Sequence, residues 1–150
     1  MRLWHKDLIH VLPRQQLLAQ WRECCCIARN IAINGTPNHI LVNKILDYPI
    51  EHFHRYAQEI AYEMQRRKYK CDLNKFKSFT NEGVRFINMP SHVELFDGWH
   101  NERYFKQCFY NLQEKYDCGG ISKDEWQKVK ALYQDHACKF VENFLEKTSF

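Results

Sequence analysis

From Pro13 to Gly35, apolar side chains recur at the three- and four-residue spacing of a single helix face. Leu17, Trp21, Cys24, Ala28 and Ile31 form the stripe, and Leu18, Cys25 and Ala32 widen it. Pro13 suits a first helical turn because its missing N–H is not needed there, and Asn34-Gly35 supplies a left-handed stop. A helix of this kind is stable in water only if the stripe is covered, so the rest of the chain must supply matching faces. It does so repeatedly. After Asp47-Tyr48-Pro49, a second long stripe of Ile50, Phe53, Ala57, Ile60 and Met64 runs to about Lys68. A third, Phe105, Cys108, Phe109, Leu112 and Tyr116, begins at a cap supplied by His100 or Asn101 and ends at Gly119-Gly120. The last stripe is Trp126, Val129, Tyr133, Ala137, Phe140 and Phe144, opened by a capping box between Ser122 and Glu125. Between the first two, Thr36-Pro37 restarts a shorter helix carrying Ile40, Leu41, Lys44 and Ile45 and ending near Asp47. No segment alternates with the two-residue period of a strand. The expectation is an all-α fold, a compact bundle of four to five helices. With 150 residues, 45% of them hydrophobic and 15% aromatic, the chain can bury one core, so residues 1–150 read as a single domain.

The helical pattern is interrupted from Cys71 to Trp99, where Gly83, Pro90 and Gly98 punctuate short apolar groups such as Val84, Phe86 and Ile87. A long irregular loop over about 71–99, with room for one short helix, is expected. Lys75, Phe76, Lys77, Phe79, Arg85 and Phe86 interleave aromatic and basic residues. That mixture suits either base stacking beside phosphate contacts or an ordinary packed loop. The helix end at Arg66-Arg67-Lys68-Tyr69-Lys70 likewise has two readings: it complements the negative helix terminus, or it touches phosphate.

A formal charge of +4 permits a cationic face without requiring nucleic acid as the partner. No signal-peptide-like apolar run follows Met1, and no apolar stretch reaches membrane-spanning length, so a soluble cytoplasmic protein is expected. The seven cysteines should then be reduced thiols. Adjacent helical residues point roughly 100° apart, so Cys24, Cys25 and Cys26 cannot chelate one metal together, and no C-x-x-C spacing occurs. Cys24 and Cys25 read as packing residues. Cys26 lies nearer Glu23, but no histidine has a fixed relation to it. The eight histidines, His52 and His54 among them, are scattered without a ligand set. No metal or cofactor is expected.

On the first helix Glu23 lies about 130° from the centre of the stripe, with Arg22 and Arg29 on the other flank. Ala19 and Cys26 beside it are small and leave room around the carboxylate. On the later helix, Tyr104, Asn111 and Lys115 share one flank of the stripe. Taken alone, a glutamate on a polar face is usually a solvated residue.

Its weight changes with a resemblance. Met1-Arg2-Leu3-Trp4, followed by Gln16-Leu17-Leu18-Ala19-Gln20-Trp21-Arg22-Glu23, resembles the opening of the pyrimidine-dimer DNA glycosylase (endonuclease V-like) family. That family begins with a basic-apolar segment and carries an aromatic-Arg-Glu motif in its first long helix. Glu59 to Tyr69 is similar to the family's helix ending in a basic-basic-Gly-aromatic turn, and Gln113-Glu114-Lys115 to an acidic-Lys motif. The likeness covers about the first seventy residues and suggests a divergent subgroup. It implies a DNA glycosylase with associated abasic-site lyase activity. The N-terminal α-amine attacks the sugar of the target nucleotide, expels the base, and leaves an imine that can eliminate the 3′ phosphate. An α-amine ordinarily titrates at roughly 7.7–8.0 against about 10.4 for lysine, so part of it is neutral near pH 7. The family's nucleophile is a small residue exposed by removal of the initiator methionine, whereas the bulk of Arg2 opposes that removal here, so the α-amine of Met1 itself is expected to take the nucleophile's place. Glu23 stabilises positive charge and moves protons, and Arg22 holds phosphate. Arg2, Lys115, Arg66 and Arg67 are further candidate DNA contacts, and His5 and Gln16 candidate helpers; His10 is also close to the amine in sequence.

The family's pattern is broken at three places. Its histidine seven residues before the glutamate is Gln16, its arginine one turn beyond is Cys26, and its aromatic-basic tail is replaced by the Trp126 to Phe144 helix. These parts help grip a kinked duplex, so the target base stays open among a pyrimidine dimer, another lesion and a modified base. The implied partner is double-stranded DNA containing a damaged or modified base or an abasic site, bound by a monomer without a membrane or small-molecule cofactor. The cell would be bacterial or phage-infected. Two rivals remain: a non-catalytic nucleic-acid-binding helical module, and an N-glycosidase acting on a small nucleoside or nucleotide.

Overall fold

The computed structural model describes residues 1–80, 89–90 and 92–148, with side chains described as far as residue 139. It is all-α, with no strand among these residues. Five α-helices occur in the order α1 (Arg14–Asn34), α2 (Ile50–Arg66), α3 (Leu73–Lys77), α4 (Glu102–Asp117) and α5 (Lys123–Thr148). Two 3₁₀ segments, Lys6–Val11 and Asn43–Asp47, complete the set. No described helix is long and apolar enough to cross a membrane.

Local chemistry sets most helix ends. Gly35 adopts φ 72° and donates its N–H to Ile31 O, closing α1 where Asn34-Gly35 predicts a stop. At the other end Pro13 is the N-cap, one residue earlier than the first-turn position read from the sequence. Of the two candidate caps for α4, Asn101 does the work, its side chain accepting from Tyr104 N. Ser122 and Glu125 form the expected reciprocal box, and Glu125 also accepts from Arg14 N at 2.6 Å, which ties the starts of α5 and α1 together.

Packing follows the stripes. α1 lies on α2 and α3, α4 pairs with α5, and the Lys6–Val11 segment sits against α2 and α5. Leu17, Trp21, Cys24, Cys25 and Ala28 are buried as the pattern requires, together with Ile27 and Gln20. Phe76 on α3 is buried against Trp21 and Phe53, with ring centroids 5.8 and 5.7 Å away, so it belongs to the core and is not free to stack on bases. Val84, Arg85, Phe86 and Ile87 lie outside the described residues, as do the side chains of Phe140 and Phe144.

Several expectations are corrected. Thr36-Pro37 does not restart an α-helix: Asn38 takes φ 57°, and only the 3₁₀ segment Asn43–Asp47 follows, leaving Ile40 and Leu41 exposed. Ala32 is exposed and Ile50 lies at the rim, so these ends of the stripes are left uncovered among the described residues. On α5 the wheel allows either residue 136 or 137 to follow Tyr133 inward. His136 does so, stacking on Phe105 at 3.9 Å with Nδ1 2.8 Å from Glu102 Oε1, and Ala137 faces out.

Three histidines are held neutral in the interior. His5 accepts from Asp7 N through Nδ1 at 3.1 Å, His52 from Phe96 N at 3.0 Å, and His100 from Lys6 N at 3.0 Å. A ring nitrogen that accepts a hydrogen bond carries no proton, so each ring has its hydrogen on Nε2. Burial acts in the same direction. It lowers His5 from 6.5 to about 4 and His100 from 6.5 to about 2, and moves His52 down as well. Unfolded histidines therefore bind protons that the folded ones refuse. Their contribution to stability is complete above about pH 6.5 and is lost as the pH falls, down to about 4 for His5 and further for His100. Thermal melts should shift downward between about pH 7 and pH 5, with on the order of 1 kcal/mol lost per pH unit below the usual histidine pKa for each of His5 and His100. A melting temperature constant over that range would show that these rings are not held neutral.

Candidate active site

The N-terminal segment forms no secondary structure of its own. Residues 2–4 are pinned to the bundle by the buried side chains of Leu3 and Trp4. Their backbone groups are met by side chains from three helices. Gln20 on α1 accepts from Trp4 N at 2.8 Å and donates to Arg2 O at 2.9 Å. Tyr56 on α2 donates to Trp4 O at 2.6 Å, its hydroxyl also 3.1 Å from Gln20 Oε1, and Tyr104 on α4 donates to Leu3 O. Gln20 is fully buried, and its amide orientation is fixed because Oε1 faces an N–H while Nε2 faces a carbonyl.

The second Nε2 hydrogen of Gln20 points to Glu23 Oε2 at 3.3 Å, and the same oxygen accepts from Arg2 N at 3.4 Å. Glu23 thus receives donors from the clamp and from the clamped segment. The α-nitrogen of Met1 is one residue along the backbone from Arg2 N, which places it within about 7 Å of Glu23 Oε2. Met1 is 39% exposed.

Both groups line a cavity of about 640 Å³. Of the residues singled out in the sequence, Met1, Arg2, Gln16, Arg22, Glu23 and Lys115 all line it. Asn111 joins Lys115 from α4, and Gln15 and Ala19 add to the wall from α1. The helical wheel sets Arg22 on the opposite flank from Glu23, yet the groove is wide enough to include both. Glu23 is the sole carboxylate among these lining residues, facing Arg2, Arg22 and Lys115. Arg2 also lies over the Trp4 ring, with its guanidinium carbon 5.4 Å from the centroid.

Other candidates are placed elsewhere. His5 is buried beside His100, with centroids 5.1 Å apart, and does not line the cavity. His10 is absent from its lining too. Arg66 and Arg67 both bind the buried carboxylate of Glu63, and Arg67 also donates to Leu12 O at 2.7 Å and His10 O at 3.2 Å. Arg67 is therefore a strut between the end of α2 and the turn before α1. Cys24 and Cys25 are buried, and Cys26 is exposed outside the cavity lining. Among the described residues no group of three or more His, Cys, Asp or Glu side chains is arranged to hold a metal.

Sequence reasoning passed over Gln20, Tyr56 and Gln15. Gln20 had a readable signal: it lies three residues after Leu17 and four before Cys24, a polar side chain in the middle of an apolar stripe. Tyr56 stands in the same relation to Phe53 and Ile60.

Comparison with known proteins bears on this arrangement. The family model for pyrimidine dimer DNA glycosylase matches residues 1–77. Among curated proteins and solved structures there is no significant match. The matched stretch contains the N-terminal segment, α1 and α2, hence Met1, Gln20, Arg22, Glu23 and Tyr56, whereas Tyr104, Asn111 and Lys115 lie beyond it. With half of its length matched, and that half holding Met1, Glu23 and the Gln20 and Tyr56 parts of the clamp, the chain belongs to the pyrimidine dimer DNA glycosylase family, whose activity is the removal of damaged bases from DNA.

Proposed function

We propose that the protein is a DNA glycosylase with associated abasic-site lyase activity, using the α-amine of Met1 as nucleophile and Glu23 as proton carrier and charge stabiliser. The observation that carries this reading is the contact of Glu23 Oε2 with Arg2 N at 3.4 Å inside a cavity that also contains Met1. The neutral amine attacks C1′ of the target deoxyribose. The glycosidic C–N bond breaks, and its electron pair leaves with the base, which takes up a proton. Loss of one of the two amine protons, followed by opening of the sugar ring at the C1′–O4′ bond, gives a protonated imine, and O4′ takes up a proton to become a hydroxyl. Glu23 lies where that positive charge develops and where protons must be taken up and returned. Removal of a C2′ proton then forms the C2′–C3′ double bond and expels the 3′ phosphate, and water hydrolyses the imine to return the amine.

Arg2, Arg22 and Lys115 supply the phosphate contacts around this chemistry. Arg66 and Arg67, already committed to Glu63, serve the fold. The substrate is duplex DNA carrying a damaged or modified base or an abasic site. Gln16 and Cys26, standing where the family has basic or titratable side chains, favour a target other than the pyrimidine dimer.

Borohydride reduction of the protein on a duplex with one abasic site tests the assignment. A covalent adduct is expected, and peptide mass mapping should place it on the Met1 amine. An adduct on Lys115 or another lysine would remove Met1 from the mechanism. Binding that weakens with salt but yields no adduct would point to a non-catalytic DNA-binding module.

A further inference from the structure

Beside the cavity stand two exposed aliphatic side chains that the chemistry above does not use. Ile40 is 84% exposed and Leu41 50%. They stand at the tip of a turn that is braced rather than loose. His39 N donates to Asn43 Oδ1 at 3.1 Å, Leu41 N to His39 Nδ1 at 3.2 Å, and both Val42 N and Asn43 N to His39 O. Below the tip, Val42 and Ile45 are buried and anchor it to the core. A rigid turn that holds two aliphatic side chains in water gains nothing from burial in the free protein.

Their position suggests what covers them. Leu41 lines the cavity that holds Met1 and Glu23, and it also lines a second cavity of about 550 Å³ shared with Ile40. Arg2 is the other residue common to both. Cations flank the tip on either side: Arg22 and Lys115 in the first cavity, Lys44 and Arg103 in the second, with Glu23 the single carboxylate lining either. An apolar ridge between two cationic hollows complements a duplex, whose phosphates lie outside and whose bases present apolar faces within.

We propose that Ile40 and Leu41 form a wedge that enters the base stack of duplex DNA beside the target nucleotide and holds that step open. The inference rests on the catalytic reading of the neighbouring cavity. It supplies what that reading needs, since C1′ of a stacked nucleotide cannot reach an amine set inside a cavity unless the duplex is opened. Aliphatic side chains are used in this way by proteins that kink DNA.

The test compares the protein with Ile40→Ser and with Ile40→Ser combined with Leu41→Ser. Two substrates are used: a duplex with one abasic site and a 2-aminopurine beside it, and the same strand unpaired. The exposed positions should leave the melting temperature unchanged. The unsubstituted protein is expected to raise the 2-aminopurine fluorescence of the duplex and to give a borohydride adduct on both substrates. In the double variant the fluorescence rise should disappear, and the ratio of duplex to single-strand adduct formation should fall by about tenfold or more, because the single strand needs no opening. The single variant should fall between. An unchanged ratio with an unchanged fluorescence rise would overturn the wedge while leaving the catalytic reading intact, as would an equal loss on both substrates. Failure of the unsubstituted protein to form an adduct on either substrate would overturn both.

Discussion

Replacing Glu23 with Gln is expected to lower base release and strand cleavage by about 10²–10⁴-fold, the usual worth of a positioned acid–base group. The substitution is nearly isosteric. The amide oxygen can still accept from Arg2 N and from Gln20 Nε2, so the clamp keeps its partners and the melting temperature should stay within the small range of surface changes. What disappears is the negative charge beside the proposed imine. Affinity for an abasic duplex should hold steady or rise, since the carboxylate is the one anion among the residues lining a cavity with Arg2, Arg22 and Lys115. Single-turnover cleavage together with fluorescence anisotropy separates these effects. A variant that cleaves within about tenfold of the original protein would take Glu23 out of the chemistry. A residual N-terminal tag, which converts the amine to an amide, should abolish adduct formation while sparing binding; full activity of a tagged protein would dismiss Met1.

The second large effect is expected at Gln20. Gln20→Leu keeps the volume but leaves Trp4 N and Arg2 O without their partner, along with part of the Tyr56 and Glu23 contacts. Each buried polar group so stranded costs about 1–3 kcal/mol, so a loss of about 2–4 kcal/mol is expected, or a drop of roughly 5–10 °C in melting temperature. Activity should fall further than stability explains, measured well below the melting transition, because residues 1–4 are held to Glu23 through this side chain. Gln20→Glu retains an acceptor for Trp4 N but puts a second acceptor against Arg2 O and a like charge beside Glu23. Its activity should therefore not be restored. If Gln20→Leu melts and cleaves like the original protein, the hydrogen-bonded clamp does not position the amine.

Much of the scaffold was legible along the chain. The stripe of Leu17, Trp21, Cys24 and Ala28, the stop at Gly35, the Asn101 cap and the Ser122–Glu125 box all depend on residues three or four positions apart. The spacing of a helix makes such interactions readable from sequence. Where a local pattern allowed two outcomes, sequence could not choose. Tyr133 can be followed inward by residue 136 or 137, and the choice fell to His136 because Phe105, Glu102 and Asp7 lie opposite it. Thr36-Pro37 carried a helix signal but found no surface to cover Ile40 and Leu41, so that stretch became a turn with an apolar tip.

At the site the division is sharper. The resemblance of Met1-Arg2-Leu3-Trp4 and Trp21-Arg22-Glu23 to one family singled out an amine and a carboxylate as candidates, and the match over residues 1–77 shows the family. It did not show what holds them together. Gln20, Tyr56 and Tyr104 come from three different helices, and each meets a different carbonyl or N–H of a segment that has no regular structure. Lys115 and Asn111 reach the same cavity from α4, outside the matched region. Sequence by itself therefore determined the four long helices, most of their apolar faces and, through the family resemblance, the two residues proposed for the chemistry, because those follow from short-range spacing and a local motif. Only the tertiary structure decided how the N-terminal segment is clamped, which cations share the cavity with Glu23, and that Arg66 and Arg67 are committed to Glu63. Each of those depends on contacts between residues far apart in the chain, whose geometry is set by how the helices pack against one another.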